Sequence, residues 1–156
     1  MHMHLMQVQL PLPLLPMISD EQLAVWRAFL NAHARVTRAI GRELADAGLP
    51  DLTWYDLLWT LYRQPGRSLR VKDLAEEVVL SPTAMSRFVD RVEAAGCVRR
   101  EPDPDDRRAL QVTLTDEGVE LLRRMWPVYA DGIERHFAAH LENGSLRETL
   151  ERVNRG

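Results

Sequence analysis

At 156 residues the chain suits one folded unit, long enough for a single hydrophobic core and too short for two comfortable domains. Apolar residues at 46% and charged residues at 28% exclude a disordered or membrane-spanning chain, and a lone Cys97 excludes an internal disulfide and leaves a reducing, cytoplasmic setting as the expectation. The net charge of −3 argues against a basic surface overall, yet Arg63 to Arg108 carries ten basic against nine acidic side chains while the rest carries ten against fourteen.

The first eighteen residues are apolar but lack a basic n-region, contain Pro11, Pro13 and Pro16, and show no cleavage site, which argues against a secretory signal. Residues 1–18 read as an arm, either extended and frayed or packed across a partner subunit. Ser19 with Gln22 makes a capping box, and Trp26, Leu30, His33, Thr37, Ile40 and Leu44 follow at spacings of four and three, predicting a helix over about 20–47 that ends near Gly48 and Pro50. Thr53 with Asp56 predicts the start of a second helix, stopped by Pro65-Gly66.

Val71, Leu74, Ala75 and Val78 mark one face of a short third helix, with Arg70 a poor residue for its cap. In Ser81-Pro82, by contrast, an N-cap is followed by proline at the first helical position, and Met85, Phe88, Val89 and Val92 then recur as one face until Gly96. A short helix, a tight turn and a second, capped helix predict a helix-turn-helix. Cys97 to Glu101 and Leu110 to Leu114 read as two strands around the charged, proline-rich loop 102–108, a hairpin wing. Thr115 caps a helix that carries Val119, Leu122, Trp126, Tyr129, Ile133, Phe137 and Leu141, with a kink expected at Pro127. Asn143-Gly144 ends it, and Ser145 with Glu148 begins a last short helix to about Arg152.

The second helix of a helix-turn-helix lies in the DNA major groove with its N-terminal residues nearest the bases. With the apolar face turned inward, Ser81, Pro82, Thr83, Ser86 and Arg87 are the candidate contacts of that helix. An arginine at a wing tip suits the negative potential of the minor groove. Arg108 is the candidate, with Asp106 two residues earlier expected to orient its guanidinium by a side-chain pair, and Arg107 placed to reach phosphate. Nineteen of the twenty basic residues are arginine, the side chain suited to guanine and phosphate.

These residues resemble the MarR family of transcription regulators. The resemblance runs over Leu74-Ala75, Ser81 to Arg87, Val89 to Glu93, Gly96, Asp106-Arg107-Arg108 and Leu114 to Gly118, and covers roughly Ser19 to Arg152. It implies a mainly α fold with a small β-wing: a winged helix-turn-helix over about 53–115 and a helical dimerisation region from the N- and C-terminal helices, about 19–48 and 116–154, in a single domain over 19–156. It implies an obligate homodimer, a recognition helix at Pro82 to Ala95, Arg108 in the minor groove and a pseudo-palindromic DNA operator, most often bound as a repressor. Arg70, where the family usually has a capping Ser or Thr, and Cys97, where it commonly has Leu, depart from the pattern.

The resemblance further suggests a small aromatic or phenolic effector, with no other cofactor, and Trp26, His33, Trp54 and Trp59 are the candidate lining. Trp126 and Tyr129 add aromatic surface. Cys97 is expected to be buried at a strand start rather than to act as a redox sensor, and no metal site is expected, although His136 and His140 share a helix face. The dimer is expected independently of the family, because apolar seams on the long terminal helices exceed what one short domain covers; recognition helices would then sit about 34–36 Å apart. No catalytic constellation appears, so an enzyme is not expected. The alternative is a winged helix that binds protein rather than DNA.

Overall fold

The computed structural model describes residues 18–78, 80–141 and 146. Helix α1 (Asp20–Asp46) opens on the expected box: Ser19 Oγ accepts from Gln22 N at 3.1 Å and Gln22 Oε1 accepts from Ser19 N at 2.8 Å. The chain divides into two units, one through Ala34 and one from Arg35 onward. In the first, Val25, Trp26, Phe29 and Leu30 are exposed, and Phe29 stands beside Trp26 at 5.8 Å and His33 at 6.5 Å between ring centres. The expected arm up to Met17 and the expected last helix from Ser145 lie outside the described residues.

The second unit runs α2 (Leu52–Tyr62), β1 (Ser68–Arg70), α3 (Val71–Glu77), α4 (Pro82–Ala94), β2 (Val98–Pro102), β3 (Leu110–Leu114) and α5 (Asp116–His136). Two assignments change. The cap of α2 is Asp51, whose Oδ1 accepts from Thr53 N at 3.0 Å, so Thr53 lies inside the helix; an aspartate two residues before an amide closes this bond with little torsional cost. The helix after Thr115 stops at His136, because Phe137 leaves helical backbone (φ −135°, ψ −61°) before a separate 3₁₀ turn at Ala138–His140. Pro127 sits inside α5, which stays helical on both sides of it.

The sheet is antiparallel in the order β1-β3-β2, with Leu69 opposite Val112 and Arg100 opposite Val112 on the other side. Strand β1 joins the hairpin to the start of α3. The core draws on every helix of this unit: Ile40 and Leu44 from α1, Leu57, Leu58 and Leu61 from α2, Leu74 from α3, Met85, Val89 and Val92 from α4, and Met125 from α5, all essentially without solvent contact. Each such side chain contributes about 1.5–3 kcal/mol, so the face of α4 left outside has a firmly seated base. No described helix is long and apolar enough to cross a membrane.

Candidate nucleic-acid interface

Helix α4 is fixed at both ends. Ser81 Oγ accepts from Ala84 N at 3.2 Å, with Pro82 at the first helical position, so the Ser81 hydroxyl is committed to the cap. At the far end Gly96, at φ +77°, permits Cys97 N to reach Val92 O (3.1 Å) and Gly96 N to reach Glu93 O (2.8 Å), a left-handed stop that a β-carbon would strain. Met85, Phe88, Val89 and Val92 are buried, which leaves Thr83, Ala84, Ser86, Arg87 and Asp90 exposed. The predicted contacts Thr83, Ser86 and Arg87 therefore share the outward face.

Arg100 on β2 ties this helix to the wing. Its Nη2 lies 2.6 Å from Asp90 Oδ1 and 3.3 Å from Glu93 Oε1, while its backbone N donates to Glu93 Oε2 at 2.8 Å. Both carboxylates raise the Arg100 pKa, Glu93 foremost. Arg91 lies over the Phe88 ring at 5.3 Å, Arg99 pairs with Glu101 at 2.7 Å, and Arg67 with Asp116 at 3.7 Å. By contrast, among the described residues no ion pair holds Arg87, Arg107 or Arg108, and all three are exposed. Arg70, Arg99 and Arg100 are thus ion-paired within this unit, whereas Arg87, Arg107 and Arg108, like Arg63 and Arg91, carry no ion pair among the described residues.

The expected side-chain pair between Asp106 and Arg108 is absent. Asp106 Oδ1 instead accepts from the backbone N of Arg108 at 3.0 Å, because in a tight turn the amide two residues on is nearer than the end of a long guanidinium stem. Asp106 thus shapes the turn that presents Arg108 and leaves the guanidinium unpaired. The ionic anchor of the wing is a different aspartate. Asp103, buried at 5% exposure, accepts from Arg70 Nε at 2.8 Å and Arg70 Nη2 at 3.2 Å, and its Oδ1 also takes Asp105 N at 2.8 Å and Asp106 N at 3.0 Å. Arg70, which makes no side-chain cap for α3, is the strap between β1 and the wing.

The Arg70 hydrogen bonds, followed by the Asp105 amide, hold the Asp103 carboxyl below its ordinary pKa. A depressed carboxylate stabilises the fold fully above its unfolded pKa near 3.8, and that contribution is lost as pH falls through the lower folded value. Asp103→Asn should accordingly flatten the acid limb of thermal stability below about pH 4, followed by circular dichroism. Arg70→Ala should raise amide exchange at Asp105 and Asp106 while α4 amides keep their protection; unchanged exchange in the wing would remove the strap from this account.

The four predicted effector residues are brought together only in part. Trp59 lines a cavity of about 620 Å³ between α2 and α5, together with Tyr55, Asp56, Tyr62, Trp126 and Tyr129. Trp54 instead sets its ring edge-on to Phe88 of α4, 6.1 Å between centres. Trp26 and His33 lie with Phe29 on the N-terminal stretch of α1, in the first unit. Tyr55, Asp56 and Tyr62 were not anticipated, although Tyr55, Trp59 and Tyr62 stand at i, i+4, i+7 on α2, a spacing that marks one face. Cys97 is buried, its thiol pushed up in pKa by burial and then by Glu117. His136 Nε2 lies 2.7 Å from Glu43 Oε1, and no group of three metal-ligating side chains occurs among the described residues.

A three-stranded sheet carrying a hairpin wing behind two helices joined by a tight turn defines the winged helix-turn-helix class of proteins. A family model described as the MarR family matches residues 47–109. The fold superimposes on AbsC, a MarR family transcriptional regulator from Streptomyces coelicolor, with TM-score 0.78 and 30% identity over 87% of this chain and 91% of that one. It also matches Sco3205 of the same organism, a MarR family regulator solved in complex with DNA, with TM-score 0.77 and 34% identity over 88% and 86%. The transcriptional regulator HosA of Escherichia coli O111:H- is 34% identical over 95 residues, 60% of this chain and 68% of that protein. The chain belongs to the MarR family of transcription regulators.

Proposed function

We propose that this regulator binds DNA sequence-specifically as a homodimer on a pseudo-palindromic operator, acting as an effector-responsive repressor. The observation that carries the reading is the sorting of arginines: Arg70, Arg99 and Arg100 are paired within the lobe, whereas Arg87 on α4 and Arg107 and Arg108 on the wing keep exposed, uncompensated guanidiniums. Thr83, Ser86 and Arg87 meet the major groove, Arg108 the minor groove and Arg107 a phosphate.

The dimer rests on exposed Val25, Trp26, Phe29 and Leu30 of α1 and on Phe137 and Leu141 beyond α5, more apolar side chain than a monomer ordinarily leaves in water. Gel shift on the DNA upstream of the protein's own gene, repeated across a salt series, tests both claims together with ultracentrifugation. The expected result is a sedimenting dimer and a log–log salt slope of about −0.9 for each phosphate contacted. A monomer at micromolar concentration, or no salt-dependent shift, rejects the reading and favours a protein partner. A second reading, that a small molecule modulates binding, is favoured by the aromatic cavity between α2 and α5, whose size falls in the range of about 300–1,000 Å³ usual for small-molecule sites.

A further inference from the structure

The cavity between α2 and α5 is walled by a row of rings. Tyr62, Trp59, Tyr55 and Trp126 stack in sequence at 5.7, 6.3 and 6.1 Å between centres, and Tyr129 meets Tyr55 and Trp126 edge-on at 4.7 and 6.2 Å. Trp59 and Trp126 remain 42% and 51% exposed, so ring surface is open to a ligand. Aromatic faces carry negative potential and attract cations. One end of this row already holds one: the Arg67 guanidinium lies over the Tyr62 ring at 5.4 Å.

Asp56 lines the same cavity and has no hydrogen bond or ion pair among the described residues. Burial, then Asp51, pushes its pKa up, and its own charge contributes to raising both Tyr55 and Tyr129, after burial in each case. Asp56 is thus the carboxylate that a ligand placed against these rings would meet. Arg123 is the cavity's one cationic lining residue among those described, and Glu120 faces it at 3.6 Å on the same helix.

Resting on the second reading above, that this cavity takes a small-molecule effector, the geometry points to an organic cation as its ligand class: a quaternary ammonium or protonated amine with an apolar body, held by Asp56 and the faces of Trp59 and Trp126. An anionic phenolate or aryl carboxylate is the wrong charge for this site. The cation restores a counter-charge to Asp56 while its apolar body covers exposed ring surface.

Titration of the full-length protein with benzyltrimethylammonium, benzyl alcohol and benzoate, read by calorimetry and by tryptophan fluorescence, tests the charge rule without DNA present. The cation should bind saturably and at least about tenfold more tightly than benzoate. Asp56→Asn should weaken the cation about tenfold and leave benzyl alcohol unchanged, and Trp126→Leu should weaken the cation independently. Benzoate binding as well as the cation, an indifferent Asp56→Asn variant, or no saturable binding because a second copy of the chain fills the cavity would each overturn the inference. A parallel operator-release assay separates the two claims. Cation binding with the operator still held keeps the ligand class and removes the effector role, whereas release by benzoate alone keeps the effector role and removes the ligand class.

Discussion

Alanine at Arg87 is expected to cost operator binding about 1–3 kcal/mol, and alanine at Arg108 a similar amount, so that each variant binds roughly ten- to a hundredfold more weakly. The two guanidiniums share no partner, and one stands on α4 while the other stands in the loop between β2 and β3, so their effects should add in the double variant. Selectivity separates them. Loss of Arg87 should relax base preference within the half-site, whereas loss of Arg108 should remove protection of the flanking minor groove in a hydroxyl-radical footprint. Arg107→Ala should leave selectivity alone and shorten the salt slope by about one phosphate. The internal control is Arg99, paired with Glu101 at 2.7 Å, whose replacement should leave the slope unchanged. A slope that falls equally for Arg99 and Arg107 would mean that diffuse positive charge, and no placed guanidinium, drives binding.

Gly118→Ala should be strongly destabilising. Gly118 lies in the first turn of α5, its N–H donating to the Thr115 cap at 3.1 Å, and a β-carbon there would overlap the carbonyl oxygen of Cys97 and stand 2.6 Å from Leu114 Cδ1. A backbone carbonyl cannot step aside, least of all this one, since it also accepts from Thr115 N at 3.1 Å. Relief requires α5 to lift from the turn that links α4 to β2. The cost is on the order of 3 kcal/mol, a fall of about 10 °C in Tm for a domain this size. Thr115→Ala removes the cap bond and the hydroxyl's bond to Gly96 O yet adds no clash, and should cost only about 1 kcal/mol. Thermal melts that rank the two variants in the opposite order would show that capping, and not close approach, demands glycine in this turn.

Helix α4 was legible because its signals are local. Ser81, Pro82 and Gly96 lie within or next to the element they bound, and Met85, Phe88, Val89 and Val92 keep a helical period that nothing overrides. What escaped the sequence was tertiary. Strand β1 is three residues long, too short for alternation to register, and exists because Ser68 to Arg70 pair with Thr113 to Gln111 more than forty residues away. Arg70 looked like a poor cap because its partner, Asp103, lies in a loop that no periodicity connects to α3. Asp106 and Arg108 were rightly associated, but the bond runs to the amide, since local backbone donors compete well with flexible side chains. The cavity was half visible: ring spacing on α2 marks a face, while the facing of Tyr55 toward Tyr129 of α5 depends on how two distant helices pack.

The salt bridges from Arg100 to Asp90 and Glu93 tie α4 to β2 at the base of the wing. On the DNA contacts proposed above, a helix and hairpin tied in this way would gauge a fixed interval along the duplex, so that the base pair engaged by Arg87 would set the position sampled by Arg108. For the proposed effector-responsive dimer, a ligand lodged against α5 would then act on the distance between the two copies and leave the shape of each one unchanged.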